Sequence, residues 1–130
     1  MDTIFTKIIN REIPATIVFE DDTSLGFLDI GPVAKGHTLL IPKKRYTWMQ
    51  DTPDETISEL FVTSKKIMKA MIQGLGCDYV QVSVVGEEVP HFHIHLIPRY
   101  HNDGLHGWTR LSYENKDDQN DYAQKIISGL

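Results

Sequence analysis

Imidazole and large apolar side chains alternate along the stretch His91-Phe92-His93-Ile94-His95-Leu96-Ile97-Pro98-Arg99. Successive side chains of a β-strand point to opposite faces of its sheet. A strand would therefore place Phe92, Ile94 and Leu96 in a core and align the histidines on the other face. In a helix, each step of two residues turns the chain by about 200°, so the imidazoles would scatter around the axis. The alternation favours a strand with a row of histidines on one face.

Length and composition indicate a single globular domain over residues 1–130. The chain is 41% hydrophobic and 24% charged, which is ordinary for a domain with one hydrophobic core. A formal net charge of −5 argues against nucleic acid as a partner, because binding its phosphates requires a basic surface. No apolar stretch approaches the ~18 residues that span a bilayer, so we expect no membrane partner.

The cysteine content indicates a reducing compartment. Cys77 is the only cysteine, which excludes an intramolecular disulfide and a cysteine-rich zinc motif. The first five residues lack the basic segment and long apolar run of a secretory signal peptide. We therefore expect a cytoplasmic protein.

Apolar patterning predicts strands and helices without a regular βαβ alternation. Besides the histidine stretch, short strands are expected at residues 17–20, 25–30, 37–42 and 79–85. A short helix or turn is expected between residues 3 and 13, and a terminal helix at residues 118–128. Strand-rich segments around one main helix indicate an α+β fold with an antiparallel sheet.

The main helix carries the clearest boundary signals. We expect Thr52 as its N-cap and Pro53 at its first position, with a glutamate three residues after the cap to complete a capping box. Apolar residues then recur every three or four positions across residues 57–75. Gly74 and Gly76 are expected to end the helix.

A row of histidines can bind a metal, catalyse a reaction or face solvent. Alternate strand residues lie about 6.6 Å apart, which separates His91 from His95 by about 13 Å. All three imidazoles cannot easily converge on one ion with bonds near 2.1 Å. The chain also lacks Cys-x-x-Cys and His-Glu-x-x-His motifs. We expect no metal, with a two-histidine metal site and a solvated face as the alternatives.

The histidine row also suits nucleophilic catalysis. Neutral imidazole is a nucleophile, and a pKa near 6.5 leaves much of it neutral at pH 7. It can attack phosphorus to form a phosphohistidine-type intermediate, which divides one difficult displacement into two steps. His93 has an imidazole neighbour on either side, and a flanking histidine can hold negative charge or deliver a proton. His93 is therefore the expected nucleophile.

The stretch resembles the signature of the histidine-triad (HIT) family of nucleotide hydrolases and transferases, His-x-His-x-His followed by apolar residues. Further blocks resemble the family in the same order: residues 2–15, residues 19–22, Phe27-x-Asp29-Ile30-x-Pro32 and Gly36-His37-x-Leu39-x-Ile41-Pro42-Lys43. The resemblance covers residues 2–99 and is closest to the nucleotide-binding, Hint-like branch. It implies a five-stranded antiparallel sheet with one long helix, a short N-terminal helix and a C-terminal helix within an extension at residues 100–130.

The resemblance also implies roles for individual residues. His93 would attack the α-phosphorus of a purine nucleotide, and His95 would serve the phosphate and the leaving group. His91 and His37 would complete the catalytic surround. Asp29 would accept hydrogen bonds from the ribose hydroxyls. The apolar slot for the base would be formed by Ile4, Phe5, Ile8, Ile13, Phe27, Ile30 and Leu39.

The family resemblance further implies a homodimer formed by joining two sheets. Most nucleotide-binding members need no metal for the chemical step, so we expect no cofactor. A purine nucleotide is the expected small-molecule partner.

The approach to the histidine row departs from the family pattern. Where the family carries Gly-Gln-Ser/Thr-Val-x-His, this chain has Gly86-Glu87-Glu88-Val89-Pro90-His91. Two unit charges 4 Å apart repel by about 4 kcal/mol at an effective dielectric of 20, so a carboxylate beside a phosphate is unfavourable. We expect Glu87 and Glu88 to point away from the site. Protonation of one of them, for general acid catalysis, is the alternative.

Two functional hypotheses of different classes follow. The leading one is an enzyme that cleaves phosphoanhydride or phosphoramidate bonds at the α-phosphate of adenosine nucleotides through a nucleotidyl-histidine intermediate. The alternative is a nucleotide-binding interaction protein with weak or vestigial catalysis, because the usual glutamine and hydroxyl donors are missing.

Overall fold

The computed structural model describes residues 2–105 and 107–130. The strands are β1 Ile17–Glu20, β2 Ser24–Leu28, β3 Thr38–Pro42, β4 Tyr79–Ser83 and β5 Ile94–Arg99. The helices are α1 Ile4–Ile9, α2 Asp54–Leu75 and α3 Lys116–Ser128, with a 3-10 turn at Met49–Asp51. Within the described residues, the five strands form one antiparallel sheet in the order β1-β2-β3-β5-β4. The predicted α+β fold is confirmed.

Strand β5 lies inside the sheet, between β3 and β4. Its apolar residues Ile94 and Leu96 are fully buried and join Phe92 in the main core, as the alternation predicts. His95 pairs directly with Leu39 of β3. Opposite residues of an antiparallel pair share a face, so His95 lies on the face of the sheet that carries Leu39.

The predicted strand is too long at its start, because β5 begins only at Ile94. His91 and His93 therefore precede the paired strand. Pro90 has no backbone N–H to donate, which disfavours ladder pairing at this point. The N–H of Phe92 instead donates to the carbonyl oxygen of Tyr46 at 2.6 Å. This bond keeps the approach extended and preserves the alternation of faces.

Helix α2 covers one face of the sheet through Leu60, Ile67 and Met71, which are buried in the main core. The predicted N-cap is wrong: Pro53 occupies that position, without a side-chain hydrogen bond. The hydroxyl of Thr52 donates to the carbonyl oxygen of Trp48, across the preceding 3-10 turn, and is not available for capping.

The C-terminal end of α2 separates the two predicted glycine stops. Gly76 ends the helix in the left-handed conformation, with φ of +69°. Gly74 lies inside the helix, so its prediction as a stop is wrong. A Cβ at position 74 would lie 1.7 Å from the carbonyl oxygen of Lys125 in α3. Gly74 is therefore required by the close approach of two helices.

The opposite face of the sheet carries α1 and a second core. Phe5 and Ile8 of the helix pack there with residues of β2 and β3, which are Leu25, Phe27, Leu39 and Ile41. Thr3 caps the helix, since its hydroxyl accepts from the N–H of Thr6. No helix among the described residues is both long enough and apolar enough to cross a membrane.

Candidate active site

A cavity of about 220 Å³ lies between α1 and the face of the sheet that carries His95. All of the apolar residues that we expect around the base line it, together with Asp29, His93 and His95: Ile4, Phe5, Ile8, Ile13, Phe27, Ile30 and Leu39. Ile30 is 77% exposed and stands at the rim. The structure therefore brings the predicted binding residues together in one place.

His93 has a defined tautomer. Its Nδ1 lies 2.8 Å from the carbonyl oxygen of His91, and a carbonyl oxygen can only accept, so Nδ1 carries the proton. In the neutral ring the lone pair is then on Nε2. Burial lowers the pKa of His93 below its ordinary value. The side chain therefore offers a neutral, nucleophilic Nε2 near neutral pH.

His95 and His37 form a second hydrogen-bonded unit. The backbone N–H of Val33 donates to Nδ1 of His37 at 3.0 Å, which leaves the proton of His37 on Nε2. That Nε2–H donates to Nδ1 of His95 at 2.9 Å. His95 must then carry its own proton on Nε2. This buried Nε2 has no hydrogen-bond partner within residues 2–105 and 107–130.

Both rings of this unit are strongly biased towards the neutral state. Burial lowers the pKa of His37 to about 3, and the positive charge of Arg110 acts in the same direction. Burial also lowers the pKa of His95 to about 3, helped by His93 and His37. A buried donor without a hydrogen-bond partner, such as Nε2–H of His95, costs free energy unless a ligand accepts from it. The Nε2–H of His95 is therefore suited to donate to an oxygen beside His93.

His91 does not direct its ring into the cavity. Its Nε2–H donates to the carbonyl oxygen of Pro42 at 2.7 Å, and the residue is absent from the described lining. The ring centroid of Phe5 lies 5.9 Å from that of His91 and 5.1 Å from that of His93, and both pairs pack edge to face. The backbone carbonyl of His91 orients the ring of His93, and the ring of His91 packs beside Phe5.

Asp29 lies at the end of β2, where the chain turns towards β3. Its Oδ1 accepts from the N–H of Gly31 at 2.9 Å, and its Oδ2 accepts from Nη1 of Arg110 at 2.6 Å. A carboxylate offers about four acceptor positions, so both oxygens can still accept from a diol. The side chain is only 14% exposed, and it lines the cavity.

The C-terminal extension supplies two site residues that the sequence analysis missed. Trp108 stacks edge to face on His95, with ring centroids 4.9 Å apart, and reaches His37 at 6.0 Å. Arg110 bonds to Asp29. A tryptophan in the part of the extension before residue 118, where the sequence predicts neither helix nor strand, was the one available signal, since a large aromatic side chain usually packs against other groups.

The prediction that both glutamates point away is wrong for Glu88. Its side chain lines the cavity, and its carboxylate accepts from Nη2 of Arg110 at 2.8 Å with each oxygen. Burial would raise the pKa of Glu88, but the hydrogen bonds and charge of Arg110 outweigh it and lower the pKa. Glu88 is therefore ionised and paired, which also argues against the protonated general acid.

The only group of potential metal ligands among the described residues is Asp29, His37 and His95, whose ligand atoms lie within 4.8 Å of one another. Two nitrogens bound to one tetrahedral zinc ion lie about 3.3 Å apart. Nε2 of His37 and Nδ1 of His95 are instead 2.9 Å apart and are joined by a hydrogen bond. Asp29 is paired with Arg110. This arrangement fits a hydrogen-bond chain better than an ion.

Comparison with known proteins identifies the class. The sequence profile of the HIT domain matches residues 10–102, and the chain belongs to the HIT family. An uncharacterized HIT-like protein of Methanocaldococcus jannaschii is 45% identical over 106 residues, which are 78% of this chain and 81% of that protein.

Two similar proteins have names that state an activity. The adenosine 5'-monophosphoramidase HNT1 of Saccharomyces cerevisiae is 39% identical over 103 residues, covering 74% of this chain and 61% of the yeast protein. The adenylylsulfatase HINT3 of Arabidopsis thaliana is 35% identical over 109 residues, covering 80% of this chain and 55% of the plant protein.

Solved structures of the family agree with the fold. A Hit-like protein from Bartonella henselae superposes with a TM-score of 0.89 at 34% identity, covering 99% of this chain and 96% of that one. A zinc-bound histidine triad family protein from Mycobacterium smegmatis superposes with a TM-score of 0.88 at 29% identity, covering 99% and 93%.

Proposed function

We propose that the protein is a nucleotide hydrolase that cleaves phosphoanhydride or phosphoramidate bonds at the α-phosphate of adenosine nucleotides. The observation that carries the proposal is the pair of complementary nitrogens in one cavity: a lone pair on Nε2 of His93 and an unpartnered proton on Nε2 of His95. The yeast and plant relatives named for adenylyl-group hydrolysis support the same class.

The chemistry proceeds in two displacements. Nε2 of His93 attacks the α-phosphorus, and the bond to the leaving group breaks as the N–P bond forms. The ring becomes cationic and keeps its Nδ1 proton against the carbonyl oxygen of His91. The Nε2–H of His95 donates a hydrogen bond to the departing group or a phosphate oxygen and stabilises the negative charge that develops there, while water supplies any proton that the leaving group takes up. Water then displaces His93 from phosphorus, loses a proton and releases AMP.

The test is turnover together with capture of the intermediate. Incubation with adenosine 5'-phosphoramidate or a diadenosine polyphosphate should release AMP, and brief mixing should give a peptide adenylylated on His93 in mass spectrometry. His93→Asn should abolish both signals. His101→Asn, which changes an exposed histidine that stacks on Tyr79, is the matched control and should retain both. Full turnover by the His93→Asn variant would rule out this nucleophile.

A second candidate is a nucleotide-binding interaction protein with vestigial catalysis. The observation that favours it is Glu88, which places a carboxylate in the cavity where the family has neutral donors. This alternative predicts AMP binding without an adenylylated His93 peptide and without AMP release. The same two measurements therefore separate the candidates.

We also propose a homodimer that joins two sheets at β4. This strand is an outer strand of the described sheet, with β5 as its neighbour. Tyr79 and Val82 in the strand and Val84 directly after it are 40–45% exposed. Unpaired strand edges with apolar side chains favour pairing with a further strand. Light scattering on the purified protein should give twice the mass of the chain, and Val82→Lys should shift it to the monomer.

We propose the cytoplasm as the compartment of the protein, because the buried free thiol of Cys77 suits a reducing environment.

A further inference from the structure

Two carboxylates line the cavity that we propose for a nucleotide. Asp29 and Glu88 both line it, and so do His93 and His95. The negative charge of Glu88 is close enough to both of these histidines to favour their protonation. An uncompensated carboxylate near these histidines would repel a phosphate bound beside them. The site therefore needs a compensating charge.

Arg110 lies between the two carboxylates. Its Nη1 donates to Asp29 at 2.6 Å and to the carbonyl oxygen of Gly31 at 2.7 Å. Its Nη2 donates to both carboxylate oxygens of Glu88 at 2.8 Å. Paired guanidinium and carboxylate groups make stronger hydrogen bonds than neutral groups do, and their geometry is directional. One cation thus serves both acidic side chains of the cavity.

The position of Arg110 is fixed by the segment around it. The N–H of Leu111 donates to the carbonyl oxygen of Pro32 at 2.7 Å, which ties the segment to the turn after β2. The guanidinium lies 5.4 Å from the centroid of the Trp108 ring. The Trp108 Nε1–H also donates to Glu88 at 3.3 Å. Arg110 and Trp108 therefore both donate hydrogen bonds to Glu88.

We propose that Arg110 is a specificity-determining residue that makes the cavity accept a nucleotide in preference to a nucleoside. It does so by neutralising the carboxylate of Glu88, with which it is paired. This inference rests on the proposed nucleotide site, and it assigns the phosphate preference of that site to a residue of the C-terminal extension. It requires no contact between Arg110 and the phosphate.

The pair AMP and adenosine isolates the effect, because the two ligands differ only in the phosphate. Removing Arg110 also frees Asp29, which changes the hydrogen bonding of the ribose. The change in hydrogen bonding to the ribose is common to both ligands and cancels in the ratio of their dissociation constants, whereas the freed charge of Asp29 adds to the repulsion of the phosphate. Measurement at one low ionic strength avoids screening of the charges under test.

The experiment is calorimetric titration of AMP and adenosine into the full chain and its variants. Arg110→Ala should reduce the preference for AMP over adenosine by about tenfold or more. Glu88→Gln added to Arg110→Ala should return the preference to within about threefold of the wild type. Arg11→Ala, which removes a surface arginine paired with Glu20, is the matched control and should leave the preference unchanged.

Each result has a distinct meaning. An unchanged preference in Arg110→Ala, or no recovery in the double variant, overturns the inference and leaves the proposed function intact. A wild-type protein that binds neither ligand overturns the proposed function and this inference with it. Thermal unfolding of each variant verifies that the protein is folded, and Glu88→Gln alone, which should keep or increase the AMP preference, provides a second readout if Arg110→Ala does not fold.

Discussion

The Nε2–H of His37 donates a hydrogen bond to Nδ1 of His95, with 2.9 Å between the two nitrogens, and both rings are buried. The proton position on His95 is thus decided by a residue of the chain segment before β3. His37 is not in the described cavity lining, so we expect it to act through His95, as a positioning residue. The different roles that we propose for His93 and His95 therefore depend on this hydrogen-bond chain.

Removal of the His37 donor should therefore weaken turnover more than binding. In His37→Leu, His95 is free to adopt the tautomer that has no proton on Nε2. We expect kcat to fall by about a hundredfold with little change in KM, because assistance to the leaving group is lost. His37→Gln, whose amide N–H can replace the donor, should recover part of the loss. An equal loss in both variants would contradict the positioning role.

Acid should destabilise the fold. In the unfolded chain a histidine binds a proton near pH 6.5, whereas burial lowers the pKa of His37 and His95 to about 3. Between these values the unfolded state binds more protons, so stability is lost as pH falls from about 6.5 towards 3. Each such histidine lowers the free energy of unfolding by about 1.4 kcal/mol per pH unit in this window.

Urea unfolding at a series of pH values between 7 and 4 measures this slope. His37→Gln should reduce the slope, because it removes one of the groups whose pKa is lowered. A free energy of unfolding that stays constant between pH 6 and pH 4 would contradict the prediction, because the two imidazoles would then take up protons in the folded protein without loss of stability.

Gly74 should be intolerant of any side chain. Alanine at an interior helix position is normally favoured over glycine by about 1 kcal/mol, but here its Cβ would lie 1.7 Å from the Lys125 carbonyl oxygen. We expect Gly74→Ala to destabilise the protein by about 3 kcal/mol, since α3 must move away. Gly31→Ala, whose Cβ would meet nothing closer than 3.9 Å, is the control. Equal unfolding midpoints would exclude the close helix approach.

Asp29 should discriminate ligands by their ribose. Asp29→Asn removes a charged acceptor, so the affinity for AMP should fall by about tenfold. The affinity for 2',3'-dideoxyadenosine monophosphate, which lacks the diol, should change much less. A parallel loss for both nucleotides would indicate that Asp29 acts only through Arg110.

The sequence predicted the parts of the site that depend on short-range patterning. Alternation along residues 91–99 placed Phe92, Ile94 and Leu96 in the core, and the residues expected around the base do line one cavity. Their roles towards a nucleotide stay predictions. Period-two and helical patterns report local geometry directly, which explains why the sheet and helices were recognisable.

The errors arose where distant residues meet. Glu88 looked repulsive in isolation because its partner, Arg110, is 22 residues further along the chain. Gly74 looked like a stop because the approach of α3 cannot be read from α2. Thr52 looked like a cap because it precedes a helix that begins near Pro53. Its hydroxyl bond to Trp48 belongs to a 3-10 turn that the sequence pattern does not predict. In each case a tertiary contact outweighed a correct local preference.

The Nδ1 proton of His93, the proposed nucleophile, is held by a main-chain atom, the carbonyl oxygen of His91. Every amino acid supplies that oxygen, so the orientation of His93 does not depend on which side chain stands at position 91. Substitutions at position 91 would be felt through ring packing against Phe5 and the bond to Pro42. The reactive state of the neighbouring imidazole is thereby inherited from the path of the backbone, and it persists for as long as the chain keeps that path.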